Sequence, residues 1–141
     1  MKCGMWVQNA SLYRANLHGA NLQEANLQEA NLQEANLYGA NLNGASLPEA
    51  NLIDANLQNA SLYAANLQEA NLYGANLNGA SLPEANLYGT NLQEANLYGA
   101  NLIDANFYGT ILIDANVTRT ILEGEDLTAW TQYVDQDSEV L

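Results

Sequence analysis

One word of five residues governs this chain: from about Val7 to Gly124 it repeats Ala, Asn, Leu and two variable residues without a frame shift. Leu holds every fifth position from Leu12 to Leu102, followed by Phe107, Leu112, Val117 and Leu122, and a small residue stands two places before each. An α-helix turns about 100° per residue, so a period of five sets successive Leu residues roughly 140° apart around the axis and leaves no apolar stripe. In a flat strand an odd period sends them to alternate faces. A chain that bends at each repeat and coils on itself can aim every Leu and every Ala at one interior axis, with neighbouring coils closing it to water. The period therefore predicts an all-β solenoid whose other three positions face outward.

Composition narrows the functions such a body can have. The chain has 141 residues, a net charge of -13, one Cys, one His and three Lys or Arg. That length fits a single domain. Strong negative charge argues against direct binding of nucleic acid or an anionic membrane, because both need cations to neutralise phosphate. No stretch is long and apolar enough to span a bilayer, and Met1 to Ala10 lacks a signal-peptide pattern, so a cytoplasmic location is expected. Cys3 has no partner for an intrachain disulfide. Zinc would lack ligands, and no cluster of His, Lys, Ser or Cys suggests a reaction, so no catalytic residue, metal site or cofactor is expected. A protein partner with a basic surface suits the charge best.

Runs such as Ala20-Asn21-Leu22-Gln23-Glu24 and Ala95-Asn96-Leu97-Tyr98-Gly99 resemble the pentapeptide-repeat family, and the likeness extends over most of the chain. The resemblance implies a right-handed quadrilateral β-helix: four repeats make a square coil, Leu fills each face and Ala sits inside near the corner. About six coils at roughly 4.8 Å per layer give a rod on the order of 28 Å long. Stacked Asn side chains such as Asn16, Asn36 and Asn56 are expected to pair from coil to coil. The domain reading is an N-terminal edge cover over 1–6, in which Trp6 shields the first coil, the β-helix over 7–124, and a cap or dimerisation segment over 125–141.

With four repeats per coil, residues twenty apart lie above one another, and outward columns follow from the sequence. Glu29, Glu49 and Glu69 form one acidic column; Glu34 and Asp54, with Glu94 and Asp114, form another; Glu24, Glu84 and Asp104 form a third. The fourth, with Gly19, Gly39, Asn59, Gly79 and Gly99, has no acid. Glu29, Glu49, Glu69, Glu34 and Asp54 are the candidate acidic interaction surface, and as solvated charges they also keep the rod soluble. Every Tyr of the repeat body directly follows a central Leu or Phe, where a good strand former would cover the strand surface. Those followed by Gly suit a corner with positive φ. Tyr88 and Tyr108, one coil apart, are the candidate aromatic contact.

Near the C-terminus Ile111 and Ile121 replace the outward Asn, and Ile103 and Ile113 take an outward variable position. These residues call for a cover. Leu127, Trp130 and Val134 have the spacing of a short amphipathic helix with Asp126 as its N-cap, so a C-terminal helical cap is expected. The candidate cap or dimer contact is thus Ile111, Ile113, Ile121, Leu127, Trp130 and Val134, in a monomer or in a homodimer through the C-terminal segment.

Asn31 to Leu52 and Asn66 to Leu87 are identical. Their offset is seven repeats, which is not a multiple of four, so the copy points its outer residues in new directions. A site tuned to one face would not survive that duplication. The leading functional reading is a non-enzymatic scaffold for protein–protein interaction. The alternative is suggested by the best-known activity of the family, inhibition of DNA gyrase by rods that mimic duplex DNA. The same resemblance makes a cyanobacterial origin a reasonable expectation.

Overall fold

A computed structural model describes residues 7–128. In each repeat the residue before the central Leu bridges its counterpart twenty residues on, in parallel, from Ser11 with Asn31 to Asn96 with Asn116, without a slip. Each repeat also makes one tight turn, so twenty residues trace four sides.

The repeat around Leu57 shows how five residues satisfy five amides. Asn56 N donates to Ala35 O at 2.9 Å, Leu57 N to Asn76 O at 2.7 Å and Asn59 N to Asn78 O at 3.0 Å, all between coils. Ala60 N closes the turn on Leu57 O at 3.0 Å. Gln58 N alone has no backbone partner, and the Asn56 side chain accepts it at 3.1 Å. That is the physical reason for Asn before each Leu: it receives the one amide that strand and turn leave over. Its amide group then reaches along the axis, Asn36 Nδ2 to Asn16 Oδ1 at 3.5 Å and Asn56 Nδ2 to Asn36 Oδ1 at 3.4 Å, the expected coil-to-coil pairing.

Three of the exceptions follow the same rule. Ser replaces Asn at Ser46 and Ser81, and the residue two places on is Pro48 or Pro83, which has no N–H. Ser61 precedes Tyr63, whose N–H is accepted at 2.9 Å by Asn43 Oδ1 from the preceding coil, and Ser61 Oγ donates to the same oxygen at 2.7 Å.

Leu27 through Leu97 and the intervening Ala residues are fully enclosed, forming one continuous core. Thr90 and Thr110 take the inward Ala position with no exposure, and their hydroxyls donate to Leu67 O and Leu87 O at 2.7 Å. A buried hydroxyl is tolerated there because its bond is made.

Every second variable residue is left-handed, from Glu49 at φ 57° and Ala64 at φ 53° to Gly39 at φ 62°. This is the third residue of the turn, where type II geometry requires positive φ. The variable pairs are therefore corners, and one expectation changes: the Tyr side chains stand on turns and do not cover strands, while the flat sides carry the Asn ladders. The first edge carries 13–14, 33–34 and onward to 113–114; the second, 18–19 to 118–119; the third, 23–24 to 123–124; the fourth, 8–9 to 108–109.

The expected C-terminal helical cap is corrected. No helix occurs among the described residues. Asp126 accepts Thr128 N at 3.0 Å and Thr128 Oγ1 at 2.6 Å, the first being the contact a repeat Asn makes two residues on, and Leu127 and Thr128 form a turn. Leu127 packs half-buried against the core. Trp6, Trp130 and Val134 lie outside the described residues.

Candidate interaction edges

All ten carboxylates of the repeat body, Glu24 to Asp114, are left-handed corner residues. Glu29, Glu49 and Glu69 stack along the fourth edge, where Gln28 and Gln68 donate to their neighbouring Glu at 3.3 and 3.4 Å. Tyr88 and Tyr108 continue that same edge, rings stacked with centroids 5.6 Å apart and planes 10° from parallel. Glu69 leans toward this pair, its Cγ 3.2 Å from where a Cβ on Gly89 would lie. The candidate acidic column and the candidate aromatic contact thus form one line, acidic in its lower half and aromatic above.

Glu34 and Asp54 belong to the first edge, in different surroundings. Arg14 Nε donates to Glu34 at 2.7 Å, and Tyr13 OH donates to the other carboxylate oxygen at 3.4 Å. The guanidinium also lies over the Tyr13 ring, 5.0 Å from its centroid. The hydrogen bond and charge of Glu34 raise the Arg14 pKa further above its usual value. Asp54 extends up to Gly74, where its Oδ1 occupies the space a Cβ would need.

Ile111 and Ile121 are ten residues apart, half a coil, so they lie on opposite sides of the rod. Ile113 shares the side of Ile111, and Ile103 that of Ile121. Ile103, Ile113 and Ile121 are exposed, but the structure does not gather the four into one patch.

Sequence reasoning missed a diagonal relation. Tyr13 reaches Glu34, Tyr63 OH donates to Glu84 at 3.4 Å, Asn59 Nδ2 donates to Tyr38 OH at 3.3 Å, and Glu94 raises the pKa of Tyr73 from the same diagonal position. The spacing is twenty-one throughout. A search for Tyr with an acid at that separation would have found it. On the acid-free second edge, His18 stacks on Tyr38 at 5.2 Å and Arg119 covers Tyr98 at 5.5 Å. Among the described residues no group of three His, Cys, Asp or Glu side chains converges to hold a metal ion, and no helix is long and apolar enough to cross a membrane.

The family model of pentapeptide repeats matches residues 10–47, 45–82 and 85–124. Among solved structures, the chain is similar to the pentapeptide repeat protein Rfr23 of the cyanobacterium Cyanothece 51142, with 34% identity, a TM-score of 0.61 and coverage of 74% of this chain and 82% of that one. It is similar as well to alr5209, a pentapeptide repeat protein of Nostoc Pcc 7120, with 34% identity, a TM-score of 0.58 and coverage of 79% and 81%. QnrB1, a plasmid-mediated fluoroquinolone resistance protein, shares the fold at 16% identity with a TM-score of 0.58, over 82% of this chain and 67% of that one. No curated protein matches in sequence. The square coil is the right-handed quadrilateral β-helix of these relatives. Its unbroken repeat, four-sided register and matched family model together place the chain in the pentapeptide-repeat family, as a repeat scaffold.

Proposed function

We propose that this protein is a non-enzymatic cytoplasmic scaffold whose acidic edges dock a protein partner with a basic surface. The observation that carries this reading is where the charge sits. A left-handed conformation costs an L residue roughly 1 to 2 kcal/mol and costs Gly almost nothing, yet all ten body carboxylates stand at left-handed corners. The neighbouring variable position has no positive φ, and there the chain places Tyr, Gln, Asn, Pro, Ile, His18 and Thr118, with Glu123 of the last repeat its single acid among the described residues. Solubility alone would be served as well from that unstrained position. Charge held at the corner tip projects where a partner lying along the edge would meet it.

Affinity capture with the wild-type protein and with Glu29, Glu49 and Glu69 replaced by Gln tests the reading. A partner with a basic surface, retained by the wild type, released by salt and lost by the variant, is expected. If no protein's retention depends on these carboxylates, the reading is overturned.

Straight carboxylate columns on a shared fold also favour a second reading, mimicry of duplex DNA toward gyrase. Ten acids over a rod of roughly 28 Å give little more than half the density of duplex DNA, which carries a charge about every 1.7 Å. Inhibition of gyrase supercoiling that weakens in the triple Gln variant would promote mimicry over the scaffold reading.

A further inference from the structure

Arg14 shows how this surface holds a guanidinium. It rises from a left-handed corner at φ 55°, lies over the ring of the preceding residue, Tyr13, and pairs with Glu34, which also receives the Tyr13 hydroxyl at 3.4 Å. The frame is Tyr, the corner residue, and an acid one coil up.

The same frame recurs twice without an arginine of its own. Tyr63 is 47% exposed against 46% for Tyr13, its hydroxyl donates to Glu84 at the same 3.4 Å, and the corner residue between them is Ala64, at φ 53°. Tyr73 stands in the same register below Glu94 on the first edge, three coils above Tyr13, and its corner residue is Gly74, against which Asp54 rests. Among the described residues the cations are Arg14 and Arg119, and each lies over its own Tyr. Nothing in the described chain can supply these two frames with a guanidinium, and the net charge of -13 favours one from outside.

We infer that Tyr63 with Glu84, and Tyr73 with Glu94, are receptor points for arginine side chains of a protein partner. This deepens the scaffold reading and rests on it. Arginine fits and lysine fits less well, because a planar guanidinium can stack on the Tyr ring while its N–H groups pair with the carboxylate oxygen that the Tyr hydroxyl does not use. Tyr38 supplies the contrast within the molecule: its diagonal partner is the neutral Asn59, so it has no charge to offer.

The test is an NMR titration of the intact protein with N-acetyl-arginine amide, and separately with the lysine analogue, following the Tyr ring resonances. Arginine should shift Tyr63 and Tyr73, leaving Tyr13 and Tyr38 in place, and the lysine analogue should bind several-fold more weakly. Ala64→Arg builds the arginine in at a corner whose φ already matches that of Arg14, and it should abolish the response of Tyr63 while sparing Tyr73. Glu84→Gln should weaken the Tyr63 response about tenfold with the fold retained. Equal shifts at all Tyr rings, lysine matching arginine, or an Ala64→Arg variant that responds like wild type would each overturn the inference. Failure here leaves the scaffold reading standing, because that reading is tested on the Glu29, Glu49 and Glu69 column of a different edge.

Discussion

Ser46 stands where most repeats place Asn, and Pro48, two residues on, removes the need for one: proline has no amide for an Asn side chain to satisfy. Ser81 and Pro83 repeat the relation. The Asn of this repeat is a hydrogen-bond acceptor assigned to one N–H, and it is dispensable where that N–H is missing.

Two alanine substitutions separate the roles. Asn86 accepts Tyr88 N at 3.0 Å, donates to Asn66 at 3.2 Å and accepts from Asn106 at 3.2 Å. Asn86→Ala removes all three and should destabilise by about 1 to 3 kcal/mol. Ser81→Ala strands no amide at Pro83 and should stay within about 0.5 kcal/mol of wild type. Urea unfolding of the two variants checks this, and equal losses would contradict the assigned role.

Strain at the charged corners can be read at Glu49, φ 57°. Glu49→Ala keeps an L residue left-handed, whereas Glu49→Gly relieves it at the cost of added freedom in the unfolded chain. The Gly variant should be the more stable of the two by roughly 1 kcal/mol. The triple Gln variant at Glu29, Glu49 and Glu69 should fold normally, since each of those side chains reaches solvent. A melting series across the three variants and the wild type decides both points.

Gly39 and Gly74 share a left-handed corner but differ above and below. A Cβ at Gly39 meets nothing within 4 Å, while at Gly74 it meets Asp54 Oδ1. Gly39→Ala should cost about 1 kcal/mol from conformation alone. Gly74→Ala should cost more, and combining it with Asp54→Ala should bring the penalty back to that of Gly39→Ala. Thermal unfolding of the double-mutant set measures the coupling.

Tyr73 is raised above its ordinary pKa of about 10, first by its hydrogen bond to Glu94 and then by burial and the charges of Glu94, Asp54 and Asp114. The neutral phenol is the favoured form. Its contribution to stability is therefore complete below the unfolded-state value and lost as pH rises through the higher folded-state value. Spectroscopic titration of a Tyr73→Phe variant should lose a component that titrates above the ordinary Tyr range, and Glu94→Gln should bring Tyr73 back toward that range. No change at the alkaline end would refute the pairing.

The five-residue period alone dictated the solenoid and its inward Leu and Ala, because only a chain that turns once per repeat can gather residues at that spacing on one axis. The twenty-residue columns were also legible once four sides were assumed, as was the pairing of Asn16, Asn36 and Asn56. Beyond the Tyr-Gly pairs, the sequence did not show which outward residues are corners. Ala, Glu and Gly all occupy the left-handed position, so composition hid a conformation that the hydrogen-bonded turn imposes on each of them. Of the helix expected through Leu127, the described residues Leu127 and Thr128 form a turn, because Asp126 takes the Asn position of the repeat and accepts the N–H two residues on. Tertiary structure alone placed Tyr63 against Glu84 and Arg14 between Tyr13 and Glu34, because a diagonal of twenty-one residues exists only after one coil has been laid upon the next.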